Sequence, residues 1–463
     1  MTETNPPLLS DLRSVCGNHG LLSADGDMLA YGYDNSRLHR MPLAVAIPAD
    51  EKAVNGIIRI CRRYQVPVTT RGRGTNTTGA SVPEPGGIIL STEKLNNIIE
   101  YRPEDRFIRV QPGVTNGEVR DLAARDGLFW APDPTSTDVC SIGGNLAMNA
   151  AGPRAVKYGS TRNHVLGIRA VSGAGELFSV GAITSKSVVG YDLTRLIIGS
   201  EGTLAVITEA TLQLLPLQPA RATIRLLYRD IDSASHAVSS IMRQHIIPSA
   251  LEFMDTKAID IVREHGNVDT PANAGALLMV EVEGQAGQIH DDAQTLIRSA
   301  GNPGLVAQDI ATSREQIQAL WQMRKALSPA LRKLAPNKIN EDVVVPVSRI
   351  PALINGLNDI GSRHGITIVN FGHAGNGNIH VNLLYDSQNP DQAARAIPCL
   401  DSVFDLVLSL GGSLSGEHGI GEVKREFVSR ELNANALMLM RAIKQQFDPD
   451  NILNPGKALP AED

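Results

Sequence analysis

Arg71-Gly-Arg-Gly-Thr-Asn-Thr-Thr-Gly79 is the stretch that most narrows the fold, because it directly follows the strand-like segment Val66–Thr70. A strand that runs into a loop of Gly, Thr and Asn offers backbone N–H groups and hydroxyls, which suit a phosphate or pyrophosphate. The loop is not a Walker motif, since no Gly-Lys-Ser/Thr follows. It is not the Rossmann fingerprint either, since Ala-Ser-Val-Pro-Glu-Pro at 80–85 cannot open a long helix. A surface turn remains the alternative to anion binding.

A second glycine-rich run occupies residues 132–152 and includes Gly143-Gly144-Asn145. Two phosphate-compatible loops in one part of the chain suggest a dinucleotide. Between them we predict a hairpin over 98–110 and a helix that opens with the capping box Thr115–Glu118. A further hairpin should turn at Gly173–Gly175.

Pro216 and Pro219 mark a predicted domain boundary, because the pattern changes after them. Two β-α-β passes follow and indicate a ferredoxin-like sheet. The predicted strands are 222–228, 249–254, 277–283 and 306–310, and the predicted helices are 233–245 and 286–300.

Two histidines, His373 and His380, flank a loop rich in Gly and Asn that follows the apolar segment Ile366–Phe371. Imidazole nitrogens bind zinc or manganese together with carboxylate oxygens, so Glu417 in the downstream run Ser-Gly-Glu-His-Gly is the candidate third ligand. His-x6-His is not a standard zinc spacing. Hydrogen-bonded structural histidines therefore remain the alternative.

Composition limits the class of protein. A chain of 463 residues is too long for one core, and 42% hydrophobic with 20% charged residues is ordinary for a globular protein. A net charge of −6 argues against a nucleic-acid partner. The cysteines at 16, 61, 140 and 399 lie far apart, and we expect free, buried thiols. No segment approaches 18 uninterrupted apolar residues, so we expect a cytoplasmic protein, with peripheral membrane contact left open.

Taken in order, these motifs resemble the FAD-binding vanillyl-alcohol oxidase and p-cresol methylhydroxylase superfamily, in particular its D-2-hydroxyacid dehydrogenases. The resemblance is carried by Arg71–Gly79, Ser141–Gly152, Gly199–Ile207, the paired histidines, Ser415–Gly419 and Ile452–Lys457. It implies an α+β fold with three parts. These are an FAD-binding domain (1–216), a ferredoxin-like substrate-binding cap (217–407) and a C-terminal segment that returns to the flavin (408–463).

The resemblance also implies where FAD binds. The first loop and Ile142–Asn145 would hold the pyrophosphate, Val206 and Ile207 would face the isoalloxazine ring, and Asn454 would return to the flavin site. Residues 71–81 contain no His or Cys, so we expect non-covalent FAD. The full implied set is Arg71, Gly72, Gly74, Thr75, Asn76, Thr77, Pro132, Thr135, Ser141, Gly143, Gly144, Asn145, Asn149, Gly152, Gly202, Val206, Ile207 and Asn454.

For the reacting centre, the resemblance implies that His373, His380 and Glu417 bind a divalent metal and that His418 is the base. Arg324 would bind the substrate carboxylate. The remaining implied substrate contacts are Ser328, Lys338 and Asn382.

The chemistry is consistent with these roles. Oxidising a 2-hydroxy acid removes the hydroxyl proton while a hydride leaves Cα for flavin N5. A metal acidifies the hydroxyl, and an imidazole accepts protons near neutral pH. The resemblance, with which this chemistry agrees, implies a dehydrogenase for D-2-hydroxy acids of the D-lactate or D-2-hydroxyglutarate class.

Several alternatives stay open at this stage. The electron acceptor would be an electron-transfer flavoprotein, a quinone or a cytochrome, and a homodimer is possible. A flavin oxidase that uses oxygen is the first alternative function. A non-redox metallohydrolase leaves residues 71–152 unexplained. A nucleotide-binding module with a structural metal leaves His418 without a role.

Overall fold

A computed structural model describes residues 5–17, 19–265 and 270–461. In chain order its strands are β1 (Leu21–Leu22), β2 (Val45–Ala46), β3 (Val68–Arg71), β4 (Ile88–Ser91), β5 (Ile98–Arg102), β6 (Phe107–Val110), β7 (Leu128–Phe129), β8 (Val165–Ser172), β9 (Leu177–Gly181), β10 (Ala205–Gln213), β11 (Leu215–Pro216), β12 (Ala220–Tyr228), β13 (Ala250–Asp255), β14 (Ala276–Gly284), β15 (Leu305–Ala311), β16 (Asn337–Val344), β17 (Thr367–His373) and β18 (Asn378–Tyr385). Its α-helices are α1 (Pro6–Cys16), α2 (Asp25–Met28), α3 (Glu51–Tyr64), α4 (Asn116–Ala124), α5 (Ile142–Met148), α6 (Ala155–Tyr158), α7 (Leu193–Ile197), α8 (Ile231–Arg243), α9 (Thr256–His265), α10 (Ile289–Ala300), α11 (Arg314–Leu334), α12 (Ile350–His364), α13 (Pro390–Ser409), α14 (Val428–Glu431) and α15 (Ala434–Phe447).

The chain divides into two compact units. Unit 1 comprises Met1–Ala151, Gly159–Leu217 and Glu417–Asp463, and unit 2 comprises Gly152–Tyr158 and Gln218–Gly416. The sequence places the corresponding breaks after residues 216 and 407. Those limits, as borders of separate domains, stay a prediction.

The described residues of unit 1 form three sheets. Their strand orders are β1-β2-β4-β3, β5-β6-β10-β8-β9 and β11-β7. Helix α3 packs its apolar stripe, which includes Val54, Ile57, Ile58 and Cys61, into the core beside the first sheet. The side chain of Asp50 caps this helix by accepting from Ala53 N.

The predicted hairpins and capping box of unit 1 are confirmed. Strands β5 and β6 pair antiparallel, and so do β8 and β9. At α4 the Thr115 hydroxyl accepts from Glu118 N, and the Glu118 carboxylate accepts from Thr115 N. Val119 of this helix is buried and Leu122 is half-buried.

The second glycine-rich run differs from the loop that the sequence suggests, because residues 142–148 form helix α5. Ser141 caps this helix by accepting from Gly144 N, and Asn149 ends it in the left-handed region at φ +49°. Ile142 and Leu146 are four residues apart and are both buried. Apolar burial and two caps therefore outweigh the low helix propensity of two glycines.

Unit 2 is built on one seven-stranded antiparallel sheet of order β15-β12-β14-β13-β17-β18-β16. Its first four strands in chain order lie in the spatial order 4-1-3-2, the arrangement of a split β-α-β sheet, so the ferredoxin-like prediction is confirmed. Three later strands extend this sheet beyond β13. The sequence analysis missed helix α9, which directly follows β13.

Two composition-based expectations can be compared with the structure. The four cysteines are free thiols; Cys61, Cys140 and Cys399 are buried, and Cys16 is half-buried. Within the described ranges, no helix combines the length and the apolar character needed to cross a bilayer.

Candidate functional site

The first glycine loop of unit 1 connects β3 to β4 without regular structure. Arg71 at its start is buried, and its guanidinium donates to the backbone oxygens of Tyr33 (2.7 Å) and Ala30 (3.2 Å). Gly74, at φ +65°, lies so close that a Cβ atom there would be 2.2 Å from Arg71 Nη2. The Arg71 side chain therefore supports the loop from within the protein.

The middle of the loop is half-buried. The Thr75 carbonyl accepts from Asn35 Nδ2 (3.1 Å), Asn76 Nδ2 donates to Ser81 Oγ (2.7 Å), and Thr77 is half-buried beside them. These hydrogen bonds attach the loop to other residues of unit 1.

Two threonine hydroxyls at or next to this loop are candidate contacts for a bound ligand. Thr70 Oγ1 and Thr78 Oγ1 are buried, and neither has a hydrogen-bond partner among the residues that the structure describes. A buried hydroxyl without a partner is costly, so such groups call for a bound partner. A dinucleotide with its phosphate and ribose oxygens supplies partners of the required kind.

The start of α5 lies directly against the first loop. A Cβ atom at Gly72 would be 2.4 Å from Ser141 Oγ, and a Cβ atom at Gly143 would be 2.5 Å from Pro112 Cβ. The structure thus brings together the two stretches that the sequence assigns to the pyrophosphate. Gly144 lies at the same helix start, with its N–H on Ser141.

Other predicted flavin contacts have partners within unit 1. Asn145 Nδ2 donates to Asn116 Oδ1 (2.9 Å), and Asn116 Nδ2 donates to the Pro132 carbonyl (3.1 Å). Asn149 Oδ1 accepts from Arg162 N (2.9 Å). Thr135 is exposed in the turn that follows Pro132. Gly152 begins the short segment that belongs to unit 2.

Asn454 connects three parts of unit 1 to the end of the chain. Its Nδ2 donates to the carbonyls of Glu201 (2.6 Å) and Ala80 (3.2 Å), and its Oδ1 accepts from Thr70 N (3.3 Å). Gly202, at φ +72°, makes room for the Asn454 amide. The predicted residues Val206 and Ile207 are buried on β10, which begins three residues after Gly202.

The paired histidines of unit 2 lie on the antiparallel strands β17 and β18. Phe371 is directly opposite His380, and His373 lies two residues further along β17, so strand alternation places all three side chains on one face. The rings of His373 and His380 are 5.2 Å apart at 83°. Both side chains are buried.

Glu252 on β13 is opposite His373 and contacts it. Its Oε1 is 2.5 Å from His373 Nδ1, and its Oε2 accepts from Arg324 Nε at 2.7 Å. Burial alone would raise the pKa of Glu252, but His373 and Arg324 stabilise the ionised carboxylate, and its pKa lies below the usual value.

Arg324 lies on α11 with its guanidinium 4.7 Å from the ring centroid of Phe371. Apart from the bond to Glu252, it makes no hydrogen bond to any described residue. One helical turn later, Ser328 Oγ accepts from Lys338 Nζ of β16 at 3.1 Å. The structure therefore brings the predicted substrate residues of α11 and β16 to the histidine-bearing sheet.

Asn382 is the predicted substrate contact with the most internal partners. It is fully buried; its Nδ2 donates to the carbonyls of Val369 (3.1 Å) and His380 (3.2 Å), and its Oδ1 accepts from Asn340 Nδ2 (2.8 Å). The Asn382 amide therefore links β18 to β17 and β16 beside the histidines.

Glu417 directly follows Gly416, whose N–H donates to the Asp342 carboxylate of β16 at 2.9 Å. One ligand atom from each of His373, His380 and Glu417 lies within 4.8 Å of the others. Two imidazoles and a carboxylate form a donor set that zinc and manganese accept. The three residues fit a divalent cation by donor type and spacing.

His418 follows Glu417 in a run of bends. Its Nε2 is 3.9 Å from Glu417 Oε1, so the two side chains do not point to opposite sides as strand neighbours would. Positive φ angles at Gly419 (+82°) and Gly421 (+54°) give this run its irregular course.

The sequence analysis missed Glu252. One signal was present: a single carboxylate interrupts the otherwise apolar segment Ala250–Met254 of a predicted strand. A charged residue inside a buried strand requires a partner, but the strand itself does not show which one.

Comparison with known proteins identifies the family. Residues 42–181 match the family model described as an FAD binding domain, and residues 217–458 match the C-terminal domain of FAD linked oxidases. The chain belongs to the FAD-linked oxidase family. It is an FAD-linked oxidoreductase, and this membership removes the metallohydrolase alternative.

The relatives carry names of 2-hydroxyacid enzymes. The chain is 36% identical to glycolate oxidase subunit GlcD of Bacillus subtilis, over 96% of this chain and 95% of that protein. It is 35% identical to D-lactate dehydrogenase of Archaeoglobus fulgidus, over 90% and 91%. It is 31% identical to D-2-hydroxyglutarate dehydrogenase of Stutzerimonas stutzeri, over 99% and 100%. The relatives therefore differ in the substrate that they name.

A solved structure supports the fold. p-Cresol methylhydroxylase with bound substrate matches at a TM-score of 0.81 and 17% identity, over 99% of this chain and 98% of that chain. At that identity the likeness concerns the fold alone, and it confirms the α+β architecture of the p-cresol methylhydroxylase type.

Proposed function

We propose that the chain oxidises a D-2-hydroxy acid to the 2-oxo acid, with FAD as the hydride acceptor and a divalent metal ion at His373, His380 and Glu417. The observation that carries this proposal is that Arg324 of α11 lies beside the sheet of unit 2 that bears the two imidazoles, with its guanidinium 4.7 Å from the ring centroid of Phe371. Glycolate, D-lactate and D-2-hydroxyglutarate, which the relatives' names contain, are all 2-hydroxy acids. The D configuration rests on two of those names.

Arg324 is proposed to bind the carboxylate that all these substrates share. Its Nε is occupied by Glu252, and its terminal nitrogens can form the paired charge-assisted bonds that a carboxylate accepts. Lys338 and Ser328 are proposed as further substrate contacts, and a second carboxylate is the group that Lys338 would favour. Asn382 is proposed to shape this surface, because its own amide is used within the sheet.

His418 is proposed to accept the proton of the substrate hydroxyl. A bound divalent cation supplies Lewis acidity that makes the substrate hydroxyl a better proton donor. A ring nitrogen of His418 would take that proton as the Cα–H bond breaks, and bound FAD would supply the hydride acceptor. Glu417 stays a ligand and does not act as the base.

FAD is proposed to bind unit 1 through the first loop, the start of α5, Gly202, the buried residues of β10 and Asn454. The unpartnered Thr70 and Thr78 hydroxyls support this assignment. Residues 71–81 offer no His or Cys for a covalent link. Acid precipitation should therefore release the yellow colour, and a yellow pellet would show a covalent bond.

Anaerobic reduction of the flavin tests the function directly. D-Lactate, D-2-hydroxyglutarate and glycolate are each mixed with the purified protein, and the loss of flavin absorbance is followed by stopped flow. L-Lactate is the matched control. The proposal expects bleaching by at least one acid of this class, abolished by chelation and restored by zinc or manganese. Bleaching at an unchanged rate after complete metal removal would refute the metal assignment.

A flavin oxidase is the second candidate, favoured by the relative named glycolate oxidase subunit. Exposing the reduced protein to oxygen separates the two. Reoxidation within one turnover time supports the oxidase. Slow reoxidation supports a dehydrogenase, whose acceptor is an electron-transfer flavoprotein, a quinone or a cytochrome.

A further inference from the structure

Glu252 is a fully buried carboxylate that serves two neighbours at once. Its Oε1 lies 2.5 Å from Nδ1 of His373, and its Oε2 accepts from Nε of Arg324 at 2.7 Å. The first neighbour is a proposed metal ligand, and the second is the proposed anchor of the substrate carboxylate.

We propose that Glu252 is a positioning residue that fixes the tautomer of His373 and the direction of Arg324 together. This inference rests on the proposed function. An ionised carboxylate only accepts hydrogen bonds, so a neutral His373 must carry its proton on Nδ1. Nε2 then keeps the lone pair that a metal requires, as in other carboxylate–histidine–metal arrangements.

The effect on Arg324 comes from the other carboxylate oxygen. Glu252 holds Nε, and Phe371 lies 4.7 Å below the guanidinium, so the plane of the arginine is fixed from two directions. The two terminal nitrogens then point away from the Nε contact. A substrate carboxylate meets a donor pair that is already oriented, which lowers the entropy lost on binding.

Glu252→Gln tests this idea, because glutamine has the same shape but only one accepting oxygen. If that oxygen stays on Arg324, the amide NH2 faces His373 and forces its proton onto Nε2. If it stays on His373, the NH2 opposes the N–H of Arg324. Either choice damages one of the two contacts.

We expect Glu252→Gln to weaken zinc or manganese binding about 10- to 100-fold, the range for loss of an outer-shell partner. Metal affinity is measured by titration of the FAD-loaded, metal-stripped protein. We also expect KM for the hydroxy acid to rise in the metal-saturated variant. The flavin spectrum reports whether the variant has folded.

Glu281→Gln is the matched control, because Glu281 is an equally buried acid of the same sheet. It accepts from Trp321 Nε1 (2.9 Å) and lies 3.6 Å from Arg154, with no role in the proposed site. We expect this variant to lose thermal stability at unchanged metal affinity. Equal losses of metal affinity in both variants would overturn the positioning role.

The tautomer can also be observed without altering Glu252. In metal-free protein labelled with [¹⁵N]histidine, the His373 signals are assigned by their loss in His373→Gln. A single proton on Nδ1 at pH 8 is the expected result, and a single proton on Nε2 overturns the inference. Wild-type protein that binds no zinc or manganese would instead refute the proposed metal site, whichever tautomer His373 has.

Discussion

The two histidine-bearing segments of the candidate site are held in different ways. His373 and His380 lie on β17 and β18, whose backbone groups pair with each other and with neighbouring strands. Glu417 and His418 lie in bends, with Gly419 in the left-handed region after them. The sheet fixes the first pair through many backbone bonds. The second pair therefore depends on a few side chains.

Two buried carboxylates accept hydrogen bonds from backbone N–H groups on either side of Glu417 and His418, the irregular segment of the site. Asp342 accepts from Gly416 N at 2.9 Å. Glu201 accepts from Ile420 N at 2.7 Å and from Gly421 N at 2.6 Å. Burial raises the pKa of Glu201, and these backbone donors oppose that shift by favouring the ionised form. Variants of either segment can show whether this difference in support matters for function.

The largest effect is expected for His418→Ala, which removes the proposed base. The anaerobic rate of flavin reduction should fall by about 10²–10⁴, the usual range for a positioned acid or base. Bound FAD and metal should stay. His364→Ala is the control, since His364 lies on α12 beside Ser402. A His418 variant that reduces its flavin at the wild-type rate removes His418 from the mechanism.

His373→Ala tests the histidine pair that lies on β17 and β18. Loss of a direct ligand should exceed the loss of an outer-shell partner, so metal affinity should fall by more than about 10²-fold. Metal content after dialysis and the FAD spectrum are measured together. Full activity of the metal-free variant would contradict the assignment, and lost FAD would show a wider structural defect.

Arg324→Lys keeps the charge but removes the paired donors and the Nε contact to Glu252. We expect kcat/KM for the hydroxy acid to fall about 10- to 100-fold, from the ~1.5–3 kcal/mol of a charged hydrogen bond. Metal content should not change. Lys325→Ala, next to it on α11, is the control. An unchanged kcat/KM would move the carboxylate site, with Lys338 as the next candidate.

The smallest effect is expected for Glu201→Gln, which tests the support of the irregular segment. One accepting oxygen cannot serve both Ile420 N and Gly421 N, and one lost hydrogen bond of ~1 kcal/mol corresponds to about a fivefold lower rate of flavin reduction. Metal affinity should stay at the wild-type value. A rate equal to wild type would mean that this segment needs no help from Glu201.

The sequence was informative where local patterns determine structure. Apolar spacing located the hairpins of unit 1 and the four ferredoxin-like strands. Capping chemistry at Thr115 and Glu118 specified the start of α4. These features depend on neighbours in sequence, which a single chain displays.

The sequence was less informative where partners come from distant strands. Glu252 meets His373 across the β13–β17 pair, 121 residues later in the chain. Residues 142–148 form a helix because their apolar side chains pack into a hydrophobic core of unit 1. The composition of the run does not reveal that core. The bends at Glu417 and His418 likewise follow from glycine φ angles that the motif allows but does not specify.

The contacts between residues 68–71 and residues 451–457 affect when unit 1 can fold during synthesis. Val68 bridges to Leu453 in parallel, and Thr70 N donates to Asn454, across 384 positions of sequence. A ribosome releases residues 68–71 long before residues 451–457 exist. Strand β3 can therefore complete its pairing only once residues 451–457 have been synthesised, and such distant contacts slow folding. We infer that unit 1 cannot reach its final form before those residues leave the ribosome.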